Sequence, residues 1–434
     1  MSITYHVLPG GVLTGEIEVP GDKSISHRSI MFGAIAEGTT YVNGFLEGED
    51  ALSTMNAFRA MGVPIEGPID GKVVIHGVGK YGLKPPKEVI DCGNSGTTMR
   101  LLAGLLAGQD FAVTLTGDET LLKRPMARVA NPLSLMGANI DTESEGRPPL
   151  RIHASSSLQA IDYTLPMASA QVKSAILLAG LYARGVTTVI EPEITRDHTE
   201  KMLEAFGCPP VVNGKSISVE GSAQLKATTI HVPGDISSAT FFMVGASIAP
   251  GSNLLLRHVG INPTRSGVIE ILRLMGADLT FENESSVGGE RVADIRVKYA
   301  PLKGIYIPER LVSLAIDEFP AIFIAAANAT GTTLLSGAKE LRVKESDRIQ
   351  VMADGLLALG VNAMPTMDGM VIEGGMYHGG VIQSHGDHRI AMSFAMAALR
   401  AQGEITIVDC QNVATSFPGF DELAKAAGLN IRLT

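Results

Sequence analysis

The run Pro20-Gly21-Asp22-Lys23-Ser24-Ile25-Ser26-His27-Arg28 gathers a lysine, two serines and an arginine at a strand-to-helix junction. The alternation from Leu13 to Val19 reads as a strand, and the apolar run from Ile30 to Ala36 reads as a helix. N–H groups in the first turn of a helix lack intrahelical partners, and the macrodipole adds partial positive charge. Such a place suits an anion, a phosphate above all. A nucleotide-cradling P-loop has Gly directly before Lys-Ser, whereas here Asp22 intervenes, so Lys23 is not expected to wrap a nucleoside triphosphate.

Other stretches carry similar chemistry, each with a bland reading beside it. Lys344-Glu345-Ser346-Asp347-Arg348 offers two carboxylates among cations, or simply an exposed helix face with charge pairs. Gly93-Asn94-Ser95-Gly96-Thr97 is a glycine-rich turn, and Gly96, without a Cβ, admits a close approach to the backbone. Asp387-His388-Arg389 puts two donors after an acid; His388 is either an anion donor or a buried structural histidine. Arg28 alone reads equally as a solvated first-turn arginine.

The elements that must position these groups come from one unit used six times. Its first mark is an apolar helical run closing on Gly38, Gly108, Gly185, Gly251, Gly331 or Gly403, spaced 66 to 80 residues apart and followed by a strand. Its second mark is another helix ending at Gly62, Gly137, Gly207, Gly276, Gly360 or Gly428, again before a strand. Units of about 70 residues are too long for solenoid repeats and predict an α/β protein of two pseudo-symmetric domains, three units in each. The first helix of each unit opens on polar residues: Asp22-Lys23-Ser24, Gly93 to Thr97, Ala168-Ser169-Ala170-Gln171, Asp235 to Ser238, Asp317-Glu318 and Asp387-His388-Arg389. Capping explains Ser, Asp and Asn there, but not Lys, Gln, His and Arg. Parallel helices would aim several positive ends at one place, suiting a substrate with more than one anionic group.

Composition narrows the class. The chain has 434 residues, 45% hydrophobic and 18% charged, with a formal net charge of −10. General binding to nucleic acid or an anionic membrane is therefore not expected, and any anion site is local. No signal peptide and no apolar run of spanning length is evident. Cys92, Cys208 and Cys410 are far apart and odd in number, which supports neither zinc nor a disulfide framework and fits a reduced cytoplasmic protein. No metal or cofactor is expected.

The motifs Pro20 to Arg28, Gly93-Asn94-Ser95-Gly96-Thr97-Thr98-Met99-Arg100, Arg124-Pro125-Met126, Arg342 to Arg348 and Asp387-His388-Arg389 occur in an order that resembles the 5-enolpyruvylshikimate-3-phosphate synthases, from about Gly10 to Phe420. The resemblance implies transfer of the enolpyruvyl group of phosphoenolpyruvate to the 5-hydroxyl of shikimate 3-phosphate, with release of phosphate. It also implies two domains of three βαβαββ repeats each, an inside-out α/β barrel arrangement, with residues 1–20 plus 235–434 forming one, 21–234 the other, and the active site in the cleft between them. It assigns Lys23 to both substrates. Ser24, Arg28, Ser169, Ala170, Gln171, Arg196, Asp317 and Lys344 go to shikimate 3-phosphate, and Asn94, Gly96, Arg124, Gln171, Arg348, His388 and Arg389 to phosphoenolpyruvate. Asp317 is the expected proton acceptor at the hydroxyl and Glu345 the group beside C3 of phosphoenolpyruvate. Gly96 is also the position that leaves room for the inhibitor glyphosate.

The chain departs from parts of the family at Thr415, where some members carry lysine, and at Ala170, where some carry serine. Three other activities fit parts of the pattern. The sister transferase acting on UDP-N-acetylglucosamine has Lys-Asn where this chain has Lys23-Ser24, and a cysteine acid that Thr116 to Met126 lacks. An RNA-end cyclase of related repeats calls for a basic, aromatic-bearing stretch. A non-enzymatic phosphosugar binder would not need carboxylates at both 317 and 345. A monomer is expected.

Overall fold

A computed structural model describes residues 3–155 and 157–434. The chain divides into two compact units, one of residues 1–20 and 233–434, the other of residues 21–232.

In the unit of residues 21–232, three four-stranded sheets share one strand order. Thr229–His231 runs parallel to Glu37–Asn43, which pairs antiparallel with Lys72–Val78, itself antiparallel to Ile65–Ile69. The same order recurs in Ile90–Asp91, Val113–Thr116, Arg147–Ile152 and Ile140–Glu143, and in Asp162–Thr164, Val186–Ile190, Ser216–Glu220 and Val211–Asn213. Helices Lys23–Ile35, Gly96–Leu106 and Ala170–Gly180 are buried around most of their circumference. That is what near-continuous apolar runs require.

The other unit repeats the scheme. Thr14–Glu18, Asn253–Gly260, Glu290–Lys298 and Asp278–Val287 form one sheet. Gly380–Gln383, Ile405–Val408, Tyr5–Gly11 and Leu429–Leu433 form a second, in which the chain's own N-terminal strand fills the third place. A three-stranded sheet of Thr332–Leu335, Met370–Glu373 and Ala363–Pro365 gains a parallel bridge from Tyr306 to Leu334. Helices Ile236–Ile248 and Phe319–Ala327 are buried at every residue, and His388–Ala397 at nearly every one.

The second helix of each repeat stops at a glycine in the left-handed region, with φ between +80° at Gly207 and +121° at Gly428. Side chains other than Gly or Asn rarely adopt that conformation, so the glycine ends the helix and starts the turn. Gly108, at a first mark, has a different reason: a Cβ there would lie 2.4 Å from the Tyr182 side chain.

The Lys23–Ile35 helix begins seven residues before the apolar run that signals it, and Asp22 is its cap, accepting from Ile25 N at 2.9 Å. Residues 344–348 are not a helix face. They join the short Lys339–Val343 turn to a helix that starts only at Arg348, capped by Asp347. The polar residues there interrupt the helix rather than decorate it.

Candidate active site

Within residues 21–232, the first turns of the buried helices meet through side chains. Lys23 opens its helix and places Nζ 2.5 Å from Asp50 Oδ2, on the neighbouring Glu49–Ala60 helix. Gln171, in the first turn of Ala170–Gly180, donates to Thr97 Oγ1 at 2.9 Å and accepts from Arg100 Nη1 at 2.6 Å. Those two bonds bind the starts of two helices side by side, so their unsatisfied N–H groups face the same region. Ser169 caps its helix, accepting from Val172 N at 3.4 Å, and Ala170 is the first helical residue.

Arg28 is buried, which removes the solvated reading. Its Nε reaches Thr199 Oγ1 at 2.8 Å, Nη2 reaches Ser174 Oγ at 2.8 Å, and Nη1 reaches the carbonyl of Ser24 at 3.0 Å. Asn94 donates to Asp118 Oδ2 at 2.7 Å and to Thr120. A Cβ on Gly96 would lie 2.6 Å from Arg124 Nη1 and 2.7 Å from Arg100 Nη1. Two guanidinium tips therefore occupy the room that the missing side chain leaves. Arg196 is half-buried, between the strand ending at Ile190 and the helix starting at His198. Glu200, in the first turn of that helix, pairs its carboxylate with Lys173 at 2.7 Å.

Within residues 233–434, a carboxylate–cation cluster stands at three other helix starts. Arg348 is 1% exposed and is held by Asp387 (Nε to Oδ2, 2.8 Å), Glu345 (Nη2 to Oε2, 2.7 Å) and Asp317 (Nη1 to Oδ1, 3.3 Å). Burial opposes its charge, but Asp387, Glu345 and Asp317 outweigh burial and hold it protonated above its ordinary range. Lys344 Nζ lies 3.4 Å from Asp317 Oδ1 and 3.8 Å from Glu340. Arg389 donates to the Asp317 carbonyl at 3.0 Å and stands 3.8 Å from Glu318. Glu318 accepts from the Ser237 hydroxyl and lies 3.7 Å from Arg265. Ser237, Glu318 and Arg389 thus join three helix starts. His388 is buried in the first turn of its helix.

The structure therefore groups the expected residues into two sets. Lys23, Ser24, Arg28, Asn94, Gly96, Arg124, Ser169, Ala170, Gln171 and Arg196 belong to one unit, and Asp317, Lys344, Glu345, Arg348, His388 and Arg389 to the other. Sequence reasoning gave no role to Asp50, Arg100, Asp387 or Arg265. Asp387 carried a signal that capping explained equally well, and it does cap, accepting from Arg389 N at 3.0 Å. Arg100 closes the Gly93-to-Arg100 motif, one turn after Gly96. Thr415 is buried and donates to the Asn412 carbonyl at 2.7 Å, so its hydroxyl is spent within its own turn.

Two α/β units that gather Lys, Arg and carboxylates at the starts of buried helices define a protein built for small, multiply anionic molecules. The family model described as EPSP synthase (3-phosphoshikimate 1-carboxyvinyltransferase) matches residues 7–423. A protein of Methylococcus capsulatus named 3-phosphoshikimate 1-carboxyvinyltransferase is 64% identical, with 100% of this chain and 99% of that protein covered. One of the same name from Hydrogenovibrio crunogenus is 63% identical over 99% and 98%. The solved structure of an EPSP synthase from Acinetobacter baumannii superposes with a TM-score of 0.89 at 59% identity, covering both chains completely. The chain belongs to the EPSP synthase family.

Proposed function

We propose that the protein transfers the enolpyruvyl group of phosphoenolpyruvate to the 5-hydroxyl of shikimate 3-phosphate and releases phosphate, a step of aromatic amino-acid biosynthesis. The observation that carries the reading is the pairing of Asp317 and Glu345 on one buried arginine, two proton-handling groups of fixed geometry among cations. Alanine or amide at either place would have left only an anion binder.

Both substrates carry phosphate, and one also a carboxylate. Lys23, Ser24, Arg28, Ser169, Ala170, Gln171 and Arg196 are read as the shikimate 3-phosphate set, joined by Asp317 and Lys344. Lys23, Asn94, Gly96, Arg124, Gln171, Arg348, His388 and Arg389 are read as the phosphoenolpyruvate set. Guanidinium groups give planar, two-point recognition of phosphate and carboxylate, and Lys23 a point charge.

In the chemical step, Asp317 accepts the proton of the 5-hydroxyl as its oxygen bonds to C2 of phosphoenolpyruvate, and Glu345 delivers a proton to C3. The resulting tetrahedral adduct then loses a C3 proton to Glu345 as the C2–O bond to phosphate breaks and Asp317 passes its proton to the departing phosphate, restoring the double bond. Each carboxylate ends the cycle in its starting protonation state. No metal or cofactor enters this scheme. The three cysteines are free and buried, and no helix among the described residues is long and apolar enough to cross a membrane. A cytoplasmic monomer of two three-repeat domains, each an inside-out α/β barrel, fits the reading.

The test is phosphate release on mixing the protein and phosphoenolpyruvate with shikimate 3-phosphate, or with UDP-N-acetylglucosamine in parallel. Release with the first acceptor alone supports the reading. Release with the second alone moves the chain to the sister activity.

A further inference from the structure

Three charged side chains lie buried together within residues 21–232, outside the sets named above. Lys173 Nζ is 3.1 Å from Glu191 Oε2 and 2.7 Å from Glu200 Oε1. The three residues are 0%, 3% and 7% exposed. Glu191 also accepts from the Thr195 hydroxyl. Burial pushes the Glu191 carboxyl above its ordinary range, while Lys173 and Thr195 pull it down.

Each member lies on a segment that carries an anion-set residue or a hydrogen-bond partner of one. Lys173 is two residues after Gln171, and its neighbour Ser174 accepts from Arg28. Glu200 is next to Thr199, which also accepts from Arg28. Glu191 and Thr195 lie on the stretch 191–197, which holds Arg196 and has neither helix nor strand of its own. Without a ladder, that stretch is held by individual contacts, Lys215 Nζ on the Pro192 carbonyl and on Glu193 among them. Another is the bond from Glu191 N to the Lys215 carbonyl at 2.8 Å, and a further one is the Thr195–Glu191 contact. Buried charges are costly to desolvate, and removing one partner leaves the others uncompensated, so Lys173, Glu191 and Glu200 hold one another in place.

We propose that Lys173, Glu191 and Thr195 are positioning residues for Arg196: the buried lysine fixes Glu191, Glu191 fixes Thr195, and Thr195 sets where the arginine beside it stands. The triad then governs affinity for the phosphate of the sugar substrate, not the rate of the chemical steps. This rests on the assignment of Arg196 to that phosphate.

Thr195→Val removes one hydroxyl at nearly constant shape, and Thr195→Ser restores it. Affinity for shikimate 3-phosphate alone is measured by calorimetric titration, with kcat and both KM values from steady state. Thr195→Val should weaken shikimate 3-phosphate about fivefold to tenfold, the scale of one lost hydrogen bond. It should leave kcat and the KM for phosphoenolpyruvate unchanged, and Thr195→Ser should recover the affinity. Arg196→Ala should weaken binding further, and the double variant should be no weaker than Arg196→Ala alone, since both act through one contact. Lys173→Met should follow Thr195→Val; if it does not fold, the Thr195 series decides. Unchanged affinity in Arg196→Ala overturns the assignment of Arg196 and this inference with it. Weakening in Arg196→Ala with none in Thr195→Val, or full additivity of the two, overturns the inference alone.

Discussion

Arg348 and Asp387 form a two-point ion pair, Nε to Oδ2 at 2.8 Å and Nη2 to Oδ1 at 3.2 Å, with side chains 1% and 0% exposed. Asp387 also caps the helix that begins at His388 and accepts from Ser346 Oγ at 2.9 Å. One carboxylate therefore sets an arginine, a helix start and the turn beside Glu345. Removing one side of a buried pair costs about 3–5 kcal/mol because the other charge stays buried. Asp387→Ala is expected to lower the thermal midpoint and kcat together. A variant that keeps its midpoint contradicts the central place given to this pair.

Glu345 has a narrower role. Its carboxylate touches Arg348 but is only partly buried, at 21% exposed, so Glu345→Gln keeps the shape and loses the titrating group. Loss of general acid–base action is worth about 10²–10⁴ in rate. Steady-state measurement should show kcat falling by that factor with little change in either KM. A fall confined to KM places Glu345 in binding instead.

Gly96→Ala should fold normally, because the atoms its Cβ would meet are tips of the flexible Arg100 and Arg124 side chains. Displacing those guanidinium groups should raise the KM for phosphoenolpyruvate and weaken inhibition by glyphosate. Unchanged inhibition with a normal thermal midpoint removes Gly96 from the inhibitor site.

His27 makes stability depend on pH. It is fully buried, with Nδ1 2.7 Å from Thr54 Oγ1, and its pKa is held well below the ordinary value by burial first and then by Lys23 and Arg28. The unfolded chain binds a proton there below about pH 6.5 and the folded chain does not, so stability falls as pH drops. The slope from this residue is about 1.4 kcal/mol per pH unit below 6.5. Urea denaturation of His27→Gln should show that slope reduced by one proton's worth. An identical acid limb contradicts the assignment.

Local signals in the sequence reached far. The six second-mark glycines mark six left-handed helix ends, and Asp22, Ser95, Ser169, Asp235 and Asp387 cap five of the six buried helices through their side chains. These are contacts between residues close in the chain, so spacing reveals them. Contacts between distant residues left no local trace. Tyr5–Gly11 fills a strand place opposite Ile405–Val408, Arg100 meets Gln171, and Arg265 serves Asp235 and Ser237. Each depends on how helices and strands pack, and the charged run 344–348 left two readings open for the same reason. Its residues resemble a solvated face, but packing turns Arg348 inward among three carboxylates.

In the proposed reaction a carboxylate of this chain protonates C3 of phosphoenolpyruvate and the adduct then gives up a proton from that carbon. This is tested most directly by turnover in deuterium oxide, with mass spectrometry of the product's vinyl group. Addition makes C3 a methyl bearing one deuterium, and elimination removes one of its three hydrogens, so the account predicts deuterium retained in the product methylene, with turnover collapsing in Glu345→Gln. Product formed at full rate without deuterium at C3 contradicts it.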